Sequence, residues 1–384
     1  MNPIKTYAYT LFIVISILLI SSCDINSRLI KENEFSSETI EVQQSTIHIP
    51  VDSLGLIIYQ VEPVIYEKGV DFFMYAYNRH LHSFDIYNLT KKEFDHRILL
   101  SREGPNEVNK VYSAYVKNPD SIYVMGAGRL YLLDNNGTVR KSHNTMFESL
   151  QNSTNGYFHS PNEADFKIDE KGENFMGFFI HNDTKASVRT TASLNNLILG
   201  KFNLKSPSIS FYPVSYSEFI RKNQGDFTEI KPNFSFIGSK LYYGFPIESN
   251  IYEFDFLTEK TAVHGAKSQY SKNQAERYSL NPDYDYRNEG TWFNSVNKYP
   301  GKPYYYRTHW GSQEKLQLNG APTNALTKLG YIIFFDSELK IIKEIEVDKN
   351  CYLESSFATN EGVFFWAKDG TDESLMKLCN YSIQ

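Results

Sequence analysis

Cysteine is nearly absent: the chain has three in 384 residues. That is too few for a disulfide-built scaffold, and no two are at zinc-site spacing. Proline (14) and glycine (21) are scarce, which excludes a collagen-like or low-complexity chain. There is no surplus of basic residues. Lys+Arg 39 against Asp+Glu 45 leaves a net charge of −6, so the electrostatic footprint of a nucleic-acid binder is absent. Long apolar runs are missing too. The one early run, residues 8–20, has 13 residues, short of the roughly 20 that a membrane-spanning helix needs. No Gly-x-Ser-x-Gly elbow, His-Glu-x-x-His or phosphate-binding Gly-x-x-x-x-Gly-Lys occurs. Aromatic residues are plentiful, with 28 Tyr, 27 Phe and 3 Trp. At 41% hydrophobic and 22% charged, the chain can bury a large core and is not disordered as a whole.

The N-terminus reads as an address. Lys5 and the apolar run have the layout of a signal peptide. Ile20-Ser21-Ser22-Cys23 follows, an aliphatic residue and two small ones before a cysteine. This resembles the lipobox of bacterial lipoproteins. The resemblance implies removal of residues 1–22, acylation of Cys23, and a location in the bacterial cell envelope, anchored by lipid to the outer membrane on its periplasmic or surface face. Residues 23–45 are polar and read as a flexible tether. Cys351 and Cys379 remain. In an oxidising compartment they form a bridge, or they stay as two buried thiols; the sequence leaves both open.

One pattern recurs six times: an aliphatic residue, an aromatic or bulky residue three later, then Asp or Asn. The copies start at Leu81, Leu130, Leu199, Ile251, Ile332 and Met376 and end at Asp85, Asp134, Asn203, Asp255, Asp336 and Asn380. The spacings are 49, 69, 52, 81 and 44, and the short ones match a propeller blade. A second strand-like run precedes each copy, such as Phe72-Phe73-Met74-Tyr75-Ala76-Tyr77 and Gly362-Val363-Phe364-Phe365-Trp366. The last copy has no room for an outer strand after it, while Thr46-Ile47-His48-Ile49-Pro50 has no blade of its own. These features predict an all-β, six-bladed β-propeller over residues 46–384, with the N-terminal strand closing the last blade. Insertions fall at about 144–170, 183–196, 213–232 and 266–330.

Three stretches extend the comparison. They are Ser101-Arg102-Glu103-Gly104-Pro105-Asn106-Glu107-Val108, the run from Leu241 through Asp255 to Tyr270, and Glu361-Gly362-Val363-Phe364. With them the chain resembles Bacteroidetes envelope lipoproteins with a six-bladed TolB-like propeller, the DUF4221-type family. Arg102 and Asn106 stand where that family's turn signature carries glycines. The resemblance implies the fold and is almost silent on function.

Candidate site residues come from local chemistry. Arg307, His309 and Trp310 lie in the densest stretch of aromatic and donor groups, suited to a glycan or peptide. Glu107 follows a Gly-Pro-Asn turn and either faces the central channel or serves the turn. His80 and His82 read as strand residues sharing one face, and the segment 283–290 alternates acids and aromatics. Neither has the ligand spacing of a metal site, so no metal or other cofactor is expected, calcium at 283–290 being the nearest exception. The expected role is a membrane-anchored module binding a glycan, a peptide or an envelope protein, and no nucleic acid. The alternatives are a hydrolase or lyase at the propeller mouth, and a structural subunit of an envelope assembly.

Overall fold

The computed structural model describes residues 30–52, 62–147, 156–159, 166–181, 194–227, 230–277, 279–280, 283, 285–317, 320–324, 327–368 and 374–384. The leader and Cys23 lie outside the described residues. Six antiparallel sheets follow one another along the chain. Blade one runs through strands Val64–Lys68, Asp71–Asn78, Ser83–Asn88 and Glu93–Leu99. Blades two, four and five repeat this four-stranded order from Ser113, Asn233 and Trp292. Blade three has a first strand of only two residues, Lys167–Ile168. Short strands Met146–Phe147 and Gly156–Phe158 extend its sheet. The architecture is the six-bladed propeller that the repeats predict.

Blade six is closed from the other end of the chain. Its strands Cys351–Thr359, Gly362–Ala367 and Leu375–Ile383 take their fourth member from Val42–Pro50. That strand pairs antiparallel along its whole length, from Val42 opposite Ile383 to Pro50 opposite Leu375. Ile49 is buried against Phe72, Met376 and Leu378, so the closing strand also welds blade six to blade one. Closure removes two unpaired sheet edges at once. A disulfide joins Cys351 and Cys379 within this blade.

The recurring Asp or Asn has a local cause. It ends the third strand, and its side chain caps the hairpin to the fourth. Asp134 Oδ1 accepts from the amides of Asn136 and Thr138. Asn203 Oδ1 accepts from Lys205 and Ser206, Asp255 Oδ1 from Leu257 and Thr258, and Asp336 Oδ1 from Glu338 and Lys340. A short carboxylate or amide is the side chain that can mimic a turn in this way. Blade one corrects the reading by three residues. Its third strand runs to Asn88, whose Oδ1 caps Lys91, whereas Asp85 is buried inside the strand and paired with Arg97 at 2.6 Å. In blade six no hairpin follows, and Asn380 packs against Gly362 instead, where an added Cβ would sit 1.8 Å from its Oδ1.

The chain reverses at every strand, so connections sort by face. First-to-second and third-to-fourth hairpins lie on one side. Second-to-third loops and links between blades lie on the other. The link between Lys260–His264 and Trp292–Lys298 and the loop between Tyr305–Trp310 and Gly330–Phe335 both open on that second side, termed here the insertion face.

The segment read as a tether is packed from Ile30 onward. Ile30 and Ile40 are buried. Asn33 forms a parallel bridge with Gly265 of blade four, and Phe35 one with Ile341 of blade five. The backbone exchanges Ser36 N to Ile341 O and Ile341 N to Glu34 O, at 2.9 and 2.8 Å. The tether reading is therefore corrected for residues 30–45: 30–41 form a strap along the outside of blades four and five, and 42–45 belong to the closing strand.

Candidate functional site

The first strand of each blade lines the axis of the ring. A cavity of about 440 Å³ lies there, touched by first-strand residues of all six blades. Its wall includes Ile65, Tyr115, Lys167, Phe236, Asn297 and Ala358. Blade five contributes most, because Trp292–Lys298 carries a break in register between Phe293 and Val296. This presents Asn294, Ser295, Asn297 and Lys298 to the cavity. Asn294 Nδ2 donates to Thr308 Oγ1 at 2.8 Å, and Ser235 Oγ donates to Asn297 Oδ1 at 3.3 Å. Lys167 donates to Gly238 O at 2.7 Å. Burial lowers its ammonium below the usual lysine range, with Glu170 opposing the shift. Glu62 also lines the wall. Among the described residues, this hydrogen-bonding chamber carries two lysines and one carboxylate. Such a chamber is equipped to hold and orient a polar molecule, with a preference for negative charge.

The residues singled out from sequence do not converge there. Arg307 and His309 sit inside the body at 1% and 0% exposure. Arg307 donates from Nε to Asn294 O at 2.8 Å and from Nη1 to Ser249 O at 2.6 Å, while Nη2 is buried without a partner, and the guanidinium lies 4.8 Å from the Phe293 ring centroid. Burial lowers it to about 9, so it stays charged at neutral pH. Glu248 lies in the same layer, raised by burial to about 7 and accepting from Tyr252 OH at 3.2 Å. His309 is stacked between Phe293 and Tyr331 at 5.0 and 5.1 Å, and burial drops it to about 3. Trp310 is half-buried beside Trp292 on the neighbouring strand. Glu107 is exposed, and its amide closes the turn on Gly104 O at 3.1 Å. Within that turn only Gly104 takes a left-handed φ, +81°; Arg102 and Asn106 therefore fit without strain.

Ser271, His309 and Glu344 form a Ser–His–carboxylate group that sequence spacing could not reveal. Ser271 Oγ is 3.1 Å and Glu344 Oε1 3.4 Å from His309 Nε2. A nucleophilic triad needs the acid on the other ring nitrogen, to orient the imidazole and stabilise its charged form. Here both groups crowd one nitrogen, Nδ1 is buried without a partner, and a base held near 3 takes no proton at neutral pH. The group is a packing element.

His80 and His82 occupy a turn rather than a strand, and His82 is buried with Nδ1 2.7 Å from Tyr77 OH. In segment 283–290, Asp285 caps a one-turn helix, α1 (Tyr286–Glu289), by accepting from Asn288 N at 3.2 Å. Among the described residues no group of three or more His, Cys, Asp or Glu is placed to hold a metal ion.

The cavity-lining residues of the first strands were missed at the sequence level. The available signal was the polar interruption Asn294-Ser295 within an otherwise strand-like run.

Six closed blades around a polar axial cavity define a β-propeller with a small-molecule-sized central chamber. The chain belongs to the DUF4221 family, a domain of unknown function whose model matches residues 34–346. It is similar to a solved family member from Bacteroides vulgatus at 16% identity and a TM-score of 0.69, covering 92% of this chain and 99% of that one. A Bacteroides fragilis protein, named for an inferred export, aligns at 11% identity and a TM-score of 0.55, covering 91% and 98%. A comparison with curated proteins found no match.

Proposed function

We propose that this protein is an exported, lipid-anchored binding module whose axial cavity holds a polar ligand bearing negative charge, an acidic glycan or an acidic peptide. The observation that carries the reading is the cavity wall, where, among the described residues, Asn, Ser, Thr and Tyr side chains surround Lys167 and Lys298 against the single carboxylate of Glu62. A partly buried ammonium gains from a desolvated anion beside it. Export is supported by the leader pattern of residues 8–23 and by the name of the Bacteroides fragilis relative.

Isothermal titration of residues 24–384 with acidic and neutral oligosaccharides and peptides tests the ligand class. Acidic probes bind more tightly, and Lys167→Met removes most of that preference. Equal affinity for neutral probes, unchanged by Lys167→Met, contradicts it. For the anchor, Cys23→Ala moves the folded protein from the membrane fraction to the soluble one.

A further inference from the structure

The strap fixes where the anchored chain leaves the folded body. Ile30 is buried in the wall of a cavity of about 640 Å³ shared with Phe219, Ala275 and Leu280. Lys31 N donates to Asn250 Oδ1 at 3.0 Å. Asn33 clamps Lys267 in both directions, Nδ2 to the carbonyl at 2.9 Å and Oδ1 from the amide at 2.6 Å. Glu32 pairs with the Lys267 ammonium at 2.6 Å. Ile30, the first described residue, thus lies at the rim between blades four and five, on the insertion face.

Cys23 is seven residues before Ile30. Fully extended, those residues span at most about 25 Å. A propeller of this length is about 50 Å across, so the tether covers roughly half the molecule's width. With Cys23 acylated, the blade four–five rim is held within about 25 Å of the bilayer surface, a limit the tether does not impose on blade one across the ring.

That rim also carries exposed apolar groups. Tyr270 and Leu280 lie in the loop between blades four and five, at 56% and 70% exposure. Leu316 and Leu329 lie in the second-to-third loop of blade five, at 56% and 48%. Both loops open on the insertion face. Amphipathic and aliphatic groups of this kind lie favourably at the headgroup level of a membrane.

We propose that the insertion-face rim of blades four and five is a membrane-contacting surface that holds the ring in one orientation on the bilayer. The proposal rests on acylation of Cys23. Its partner is the phospholipid interface itself, and the strap is the device that transmits the orientation.

The test uses the acylated full chain in phosphatidylethanolamine–phosphatidylglycerol vesicles containing a nitroxide-headgroup lipid. A single fluorophore is placed at Leu280→Cys or at Val70→Cys; Val70 is 81% exposed in a hairpin of blade one on the opposite face. Cys351 and Cys379 are already joined, so the introduced thiol is the reactive one. Quenching at position 280 is expected to exceed that at 70 at least twofold. Equal or reversed quenching in protein that carries the acyl chain and floats with the vesicles overturns the orientation alone. Absence of acyl label, with failure to float, overturns the anchoring reading and the orientation with it.

Discussion

Lowering the pH should expose the cost of keeping His309 neutral. The imidazole is fully buried, stacked between two aromatic rings, and faces Arg307, whose charge adds to the effect of burial. Its folded-state value falls from an ordinary 6.5 to about 3. A depressed histidine lends stability that is fully present above 6.5 and is lost as pH falls toward 3, because only the unfolded chain takes up the proton. At pH 4.5 the loss from this residue amounts to about 3 kcal/mol. The assay is urea unfolding followed by Trp and Tyr fluorescence at pH 7.5, 6.5, 5.5 and 4.5, comparing wild type with His309→Phe. Phenylalanine keeps the stack and removes the titration. Glu248 acts in the opposite sense: its carboxyl is raised to about 7, so it favours the folded state as pH falls. It is present in both proteins and drops out of the comparison; the Glu344 carboxyl, raised by burial, also favours the folded state as pH falls and keeps its bonds from Ser268 and Gln269 in the variant. The variant should lose markedly less stability than wild type between pH 7.5 and 4.5. Parallel losses in the two proteins refute the burial argument.

Other expectations follow from the closure and from local packing. Replacing Cys351 and Cys379 by Ser reopens a link across a sequence separation of 28 and should cost about 3–4 kcal/mol by the loop-entropy relation, read as a lower urea midpoint. Deleting residues 24–50 removes the closing strand and should abolish a cooperative melt. Deleting 24–40 removes only the strap and should lower Tm while keeping one transition. Gly362→Ala forces a methyl onto Asn380 and should cost about 1–3 kcal/mol, most of it recovered by adding Asn380→Ala.

Much of the fold was legible because its repeat has a local cause. The Asp or Asn at the end of a third strand caps the next hairpin through bonds two to four residues away, so it leaves a mark at fixed spacing. Blade one slipped by three residues because Leu81 and Asp85 imitate the pattern while Asn88 holds the actual cap. The strap was misread for a different reason. Its composition is polar, and composition alone does not reveal that Asn33 meets Lys267, 234 residues away. Arg307 and His309 looked like binding groups because donors and aromatics were dense around them. Their burial is set by Ser249, Ser271 and Phe293, and none of these contacts is written in the local sequence. The cavity wall gathers one short stretch from each of six blades, so no single segment carries its signature.

We propose the axial cavity as the binding site. Its most direct test is a thermal-shift screen of residues 24–384 against acidic and neutral glycans and peptides, run in parallel on a Ser295→Trp variant that fills the chamber. A ligand that binds only the folded state raises Tm by mass action. A reproducible rise with an acidic ligand is expected for the wild type, and none for the filled variant. An equal rise in both proteins would place binding elsewhere on the surface and rule out the axial cavity.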